Sequence, residues 1–321
     1  MQIELLYVLE VYQSGSFSQA AKHLFITQPA LSIAIKKLEK RIGMPLFNRN
    51  TKPLELTPAG KLYIKNILEI RSLEENLTKS LDDLNGLEDG ELRLAGTQYF
   101  NSHVIAHTID TYSERYPKVK LSLLEDNSGN LDRHLQKNQV DITLHCGDFN
   151  TKLYQGFSIF KDYLLLAVPQ KLLGSNSTIK KAALSSKDIA DNIFLAKDCP
   201  YVPLSSFKDF PFLILTDSNN LQSRSLAMCK QANFTPQVRF YVEQLETSNY
   251  LAANGLGLAF VSDLLIKERP SSRLLYFKLI APEATRIFHG VTKKHSYISR
   301  IMEEFLNMSR EAWLDTVNYA E

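Results

Sequence analysis

FITQPALSIAIKKLEK, residues 25–40, decides how the first third of this chain is read. It opens on a turn, places Thr27 ahead of Pro29, and then spaces Leu31, Ile35 and Leu38 at i, i+4 and i+7. That spacing predicts a helix with one apolar face, capped by the Thr27 hydroxyl. Pro29 falls in the first turn, where its missing N–H costs nothing. The opposite face offers Gln28, Ser32 and Lys36, with Lys37, Lys40 and Arg41 around it. A small helical bundle with a solvated basic face is the plain alternative. The functional reading is a helix pressed against a polyanion.

Working outward favours the second reading. Upstream, Leu5, Leu6, Val8, Leu9 and Tyr12 predict one helix, SGSF breaks it, and Ser16 with Gln19 gives a capping-box pattern for a short second helix. Two helices joined by a tight turn, the second with polar residues at its start, form a helix-turn-helix. Gln28 and Ser32 suit base edges, and lysines suit phosphates. Downstream, PLFNR and LELT flank a turn at residues 50–53 and predict a wing carrying Arg49 and Lys52. Residues 1–65 hold nine Lys and Arg against four Glu, whereas the whole chain is only +2. A compact basic end on a mildly acidic body points to nucleic acid.

From Pro58 to about residue 84 the chain predicts one long helix, roughly 40 Å at 1.5 Å per residue. Tyr63, Ile67, Ile70, Leu77, Leu81 and Leu84 form its stripe, a natural seam for a second copy. Packing on the chain's own C-terminal part is the alternative. Two copies would set two recognition helices on double-stranded DNA with approximate two-fold symmetry.

NGLEDG at 85–90 reads as a hinge. After it, ELRLAG, VKLSLLED and VDITLHCG are strands separated by helices. A second run has strands YLLLAVP, IFLA, FLILT, QVRFYV and LGLAFVS, and YFKLI and TRIFHGVTK return later. The expected architecture is α/β. It divides into a winged helix-turn-helix (1–57), a linker helix and hinge (58–90), and a two-lobed domain (91–321). Lobe I spans about 91–163 and 269–300, and lobe II about 164–268, with crossings near 164–169 and 262–270. Ligands bind beyond strand ends in such folds, which selects Thr97, Gln98, Tyr99, Ser128, Asp198 and Cys199 as effector candidates.

Other functions find little support. There is no phosphate-binding Gly-rich loop, GxSxG elbow or HExxH, so no catalytic residue is assigned. His103 and His107 have metal-ligand spacing but no evident acidic or cysteine ligand beside them, so no metal and no cofactor is expected. Cys146, Cys199 and Cys229 fit neither a disulfide scaffold nor a zinc knuckle and read as buried thiols. No apolar run spans a membrane and no secretory leader is evident, which implies a cytoplasmic protein. A solute-binding module or enzyme on the two lobes would need such a leader or a catalytic constellation.

The run SGSFSQAAKHLFITQPALSIAIKKLEKRIGMPLFNRNTKPLELTPAG resembles the N-terminal signature of LysR-type transcriptional regulators. YPKVKLSLLED, VDITLHCG and NGLGLAFVSDLL extend the likeness over essentially the whole chain. The resemblance implies a winged helix-turn-helix dimerised by the linker, often tetrameric. It also implies a domain similar to periplasmic solute-binding proteins that senses a small molecule. The family's DNA contacts map to Gln28, Pro29, Ser32, Lys36 and Arg49. A transcription regulator of this kind has RNA polymerase as a candidate further partner, and an effector-independent repressor with a degenerate pocket is the alternative within the family. Three departures stand out: Ile33 replaces a common arginine, Tyr99 a small hydroxyl residue, and Ser262 a frequent proline. The cysteine spacing does not fit the peroxide-sensing branch.

Overall fold

The computed structural model describes residues 3–49, 51, 53–84, 89–174, 177–217 and 219–313. The expected wing contact Lys52 and residues 85–88 of the expected hinge lie outside the described residues. The chain divides into two compact units, residues 1–87 and 88–321.

In the first unit, α1 (Ile3–Ser14), α2 (Phe17–His23) and α3 (Gln28–Ile42) pack as three crossing helices. Ser16 caps α2 by accepting from the Gln19 N–H, and Thr27 caps α3 by accepting from the Ala30 N–H, each at 3.4 Å. Gly43, at φ +79°, ends α3 in the left-handed region. Leu31, Ile35 and Leu38 are buried with Val8, Leu9, Val11 and the small pair Ala20 and Ala21. The expected wing strands shrink to a two-residue antiparallel pair, β1 (Phe47–Asn48) and β2 (Glu55–Leu56).

α4 (Pro58–Leu84) has 27 residues, as its pattern predicts. The Thr57 hydroxyl accepts from the Gly60 N–H at 3.0 Å and donates to the Pro45 carbonyl at 2.6 Å. Gly60 is required there, because a Cβ would stand 2.0 Å from the Leu46 carbonyl oxygen. The helix does two jobs along its length. Ile64 and Ile67 are buried in the first unit's core, and Tyr63 packs against it. Ile67 therefore serves this core, and Tyr63 in part, rather than an outward seam.

The second unit starts with three parallel strands in the order β4-β3-β5: β3 (Gly90–Gly96), β4 (Val119–Glu125) and β5 (Ile142–His145). The first connection runs through α5 (Gln98–Phe100), a π-helical turn (Asn101–Ile105) and α6 (Ala106–Arg115). The second uses α7 (Ser128–Gln136). The 16-residue strand β6 (Tyr154–Pro169) then belongs to both lobes. The helices α8 (Gln170–Leu173), α9 (Ser177–Lys180) and α10 (Ser186–Ala190) follow. Next come β7 (Pro211–Leu215), α11 (Asn220–Gln231), β8 (Gln237–Val242), α12 (Leu245–Ala253), β9 (Leu258–Ser262) and α13 (Asp263–Glu268). The chain closes with β10 (Leu274–Lys278), β11 (Thr285–Lys293) and α14 (Arg300–Glu311).

Three expectations are corrected. The crossing at 164–169 is the second half of a continuous strand: residues 154–163 of β6 pair with β11, and 164–169 with β9 and β10. Residues 274–278, expected in lobe I, extend the lobe II sheet as β10, so the return crossing lies between Lys278 and Thr285. IFLA is no strand. Ile193–Leu195 is a single 3-10 turn that buries Phe194. Among the described residues no helix is long and apolar enough to cross a membrane.

Candidate functional site

Gln28 and Pro29 are exposed at the start of α3, Ser32 is half-buried, and Lys36 and Lys37 are exposed further along. Ile33, where the family resemblance leads one to expect an arginine, is 66% exposed. Arg49 is not a free wing cation. Its guanidinium donates to the Ser32 hydroxyl at 2.9 Å and to the Glu39 carboxylate at 3.1 Å, and it covers the Phe17 ring at 4.8 Å. The other Glu39 oxygen accepts from the Leu46 N–H at 2.8 Å, so one carboxylate ties α3 to the start of the wing. Glu39 was missed in the sequence; its signal is being the single acid of a basic helix. Arg41 is likewise spent, on Glu4. The cationic face left for a polyanion is Lys36, Lys37 and Lys40, with the Arg49 charge shared.

Beyond Ile67, α4 leaves apolar side chains without cover in the single chain. Ile70, Leu73, Leu77, Leu81 and Leu84 are all exposed, with Leu77 at 61% and Leu73 at 68%. Their 3-4-4-3 spacing keeps them on one face.

A cleft of about 140 Å³ lies beyond the strand ends of the second unit. Thr97, Gln98, Tyr99 and Ser128 line it, together with Cys146, Asn220, Gln244 and Arg286, which the sequence does not single out for it. The local logic is helix starts. Thr97 caps the helix after β3, Ser128 begins α7, and Asn220 begins α11, so several N-terminal dipoles point inward. Asn220 crosses from lobe II to lobe I. Its backbone N–H donates to the Ser128 hydroxyl at 3.3 Å, and its side-chain amide donates to the Cys146 carbonyl and lies 3.2 Å from the Cys146 sulfur. The double asparagine before the α11 pattern was the available signal.

Asp198 and Cys199 do not reach this cleft. With no strand over 193–196 there is no strand end to aim them, and the Cys199 thiol turns to the Pro200 carbonyl at 3.6 Å. All three cysteines are free and buried.

Behind the cleft sits a buried polar cluster. Arg286 grips the Asp162 carboxylate through two nitrogens, with 4% and 0% of the two side chains exposed. Burial works against the guanidinium charge, but the Asp162 charge and hydrogen bond, together with Cys146 and Tyr99, outweigh it and raise Arg286 above its ordinary value. Tyr99 sends its hydroxyl into this cluster rather than toward a ligand, and burial followed by the Asp162 charge pushes its phenol well above the usual range. The one guanidinium lining the cleft is thus neutralised. On the rim, a hydrogen bond from His134, then one from Asn130, holds Asp126 below the usual carboxylate range. Burial pushes the Cys146 thiol up, and its partner is an amide, not a base. The cleft lining includes the amides of Gln98, Asn220 and Gln244 and the hydroxyls of Thr97 and Ser128.

Comparison with known proteins agrees along the chain. The model for the bacterial regulatory helix-turn-helix protein, lysR family, matches residues 4–61, and that for the LysR substrate binding domain matches residues 85–314. The HTH-type transcriptional regulator YcgK of Bacillus subtilis (strain 168) is 26% identical over 310 residues, covering 97% of this chain and 94% of YcgK. A probable RuBisCO transcriptional regulator of Thalassiosira pseudonana is 27% identical over 303 residues, covering 93% and 92%. In fold the chain is similar to a variant of full-length OxyR from Pseudomonas aeruginosa, with TM-score 0.68, 19% identity and 96% and 93% coverage. It is also similar to full-length CbnR in complex with its target DNA, with TM-score 0.59, 16% identity and 97% and 100% coverage.

Proposed function

The chain belongs to the LysR family of bacterial helix-turn-helix regulators, and from that premise we propose how its two units divide the work. It is a DNA-binding transcriptional regulator with an effector-binding α/β domain, not an enzyme. In our reading, two copies pair along the exposed face of α4 and bring two α3 helices to an operator of approximate two-fold symmetry. Gln28 reads a base edge, Ser32 and Arg49 act as one bonded pair at the backbone, and Lys36 and Lys37 neutralise phosphates. The regulator works in the cytoplasm, and RNA polymerase is its further partner when bound at a promoter.

A small polar effector enters the cleft between the lobes. The observation that carries this reading is Asn220, whose bonds to Ser128 and Cys146 hold the lobes together with groups that a ligand's hydroxyl or amide can replace. Exchanging those bonds shifts the lobe arrangement and thereby the spacing of the paired DNA-binding units. The test is a thermal-shift screen of polar metabolites on the full chain. At a hundred times Kd a true effector adds about 2.7 kcal/mol of stability. The midpoint rise should be lost in Ser128→Ala and Asn220→Ala, and the same ligand should change operator affinity in wild type alone. A second reading, an effector-independent repressor, draws on the small cleft volume and its internal hydrogen bonds. A screen with no hit and operator affinity unmoved by any candidate favours it.

A further inference from the structure

His103 stands on the rare π-helical turn at Asn101–Ile105, and its side chain is 5% exposed. One ring nitrogen, Nε2, lies 2.6 Å from a carboxylate oxygen of Glu246 at the start of α12. The other, Nδ1, is bonded to a carboxylate oxygen of Glu268 at the end of α13. His103 follows β3 in lobe I, and both glutamates belong to lobe II. The sequence shows no acid beside His103, because these partners lie 143 and 165 residues away.

Proton counting gives the arrangement its meaning. A neutral imidazole has one donor and one acceptor nitrogen, whereas a carboxylate only accepts. Two ring nitrogens facing two carboxylates therefore need one proton more than a neutral ring and two carboxylates hold. We propose that His103 is a proton-loaded clasp between the lobes, closed while His103, Glu246 and Glu268 share that proton and released when it leaves. Losing it sets a nitrogen lone pair of the buried ring against the carboxylate oxygen of a partly exposed glutamate, which water can then solvate, and the repulsion separates α12 and α13 from the π turn.

The neighbouring charges leave the proton with these three groups. On its own helix His103 touches the Tyr99 ring at 5.2 Å, whose hydroxyl is spent on Asp162 and Ser262, and His107 is exposed one turn on. From α13, Lys267 is turned to Asp263 and Asn192 at 2.8 Å each, and Arg269 beyond the helix is exposed. From α12 the ionisable groups are Glu246 and the exposed Tyr250. Behind Tyr99, Arg286 is paired with Asp162. Leu245, next to Glu246, lines the cleft, so clasp and cleft share the start of α12. The consequence for ligand response rests on the effector reading. The clasp itself is tested without effector or DNA, so either can fail alone.

The chain supplies its own reporter. Trp313, its single tryptophan, donates its indole N–H to the Val104 carbonyl at 3.2 Å, one residue from His103. Tryptophan emission and hydrogen exchange of the α12 and α13 peptides, corrected for intrinsic rates, are followed on the full chain between about pH 5 and 8. Wild type should show a one-proton step, with exchange rising at least several-fold as pH increases. His103→Gln should lose that step, and Glu246→Gln should move it to lower pH. No step in wild type, or a full-sized step in His103→Gln, overturns the proposal. Should His103→Gln fail to fold, Glu246→Gln decides, since a step at unchanged pH there also overturns it.

Discussion

The Tyr99 hydroxyl lies 2.6 Å from the Ser262 hydroxyl, joining the first helix of lobe I to the end of β9 in lobe II. Both residues depart from what the family resemblance leads one to expect, and the two departures touch. Ser262 also caps α13 by accepting from the Leu265 N–H at 3.1 Å, and Tyr99 donates to Asp162 at 3.0 Å. Tyr99→Phe leaves the Asp162 carboxylate short of one donor and the Ser262 hydroxyl short of its acceptor, so we expect a loss of about 1–3 kcal/mol in chemical denaturation. Ser262→Ala should cost a similar amount, and the double variant less than the sum, because the bond is shared. Strict additivity would show that the two hydroxyls act separately.

The Asp162–Arg286 pair makes a harsher test of the same region. Arg286→Met strands a carboxylate that is fully buried, and a loss of about 3–5 kcal/mol is expected. Adding Asp162→Leu should recover part of it, since an apolar pair replaces an orphaned charge. A double variant less stable than Arg286→Met would contradict this account.

His145 and His289 face each other across β5 and β11, and burial pushes both imidazoles below their ordinary value of 6.5. The folded state thus favours the neutral rings. Their contribution is fully present above about pH 6.5 and is lost as pH falls below it, where the unfolded chain takes up protons first. Urea midpoints across that range should fall with acid in wild type and more gently in a His145→Gln/His289→Gln variant. The expected direction is opposite to that of the His103 clasp, which weakens as pH rises. Parallel acid slopes in the two proteins would count against the burial argument.

The first unit was legible because its information is local. Thr27, Pro29 and Gly43 punctuate α3, and the Leu31, Ile35 and Leu38 spacing names its buried face. β6 was only half read. Gly156 and Asp162 look like breaks, yet a Cβ at Gly156 would stand 2.3 Å from the Phe149 ring, and Asp162 is held by Arg286. IFLA was misread because a four-residue apolar run looks alike as a strand or as one buried turn. The partners of Tyr99, His103 and Arg49 come from distant segments, and no periodicity announces them. In the cleft, Thr97, Gln98 and Ser128 follow from strand ends; Asn220 and Cys146 required the lobes to be brought together.

Base reading and phosphate contact separate by experiment. Gln28→Ala should lose about 1–3 kcal/mol of discrimination at one operator position and little on random duplex. Lys36→Ala should weaken all sequences and lower the salt slope by about one unit. For Arg49→Ala we expect a similar slope change together with a looser wing, because Ser32 and Glu39 lose their partner. Equal losses on operator and random DNA for Gln28→Ala, or an unchanged slope for Lys36→Ala, would remove these roles.

The central claim is that two copies, paired through α4, read one symmetric site, and selection from a pool of random duplex DNA by the full chain tests it most directly. Wild type should enrich an inverted repeat whose half-sites lie one helical turn or a multiple apart, about 10 base pairs each. Leu77→Glu/Leu81→Glu places charges on the seam and should yield monomers in sedimentation that enrich no repeat. A single asymmetric site from wild type, or the same repeat from the doubly charged variant, would contradict the account.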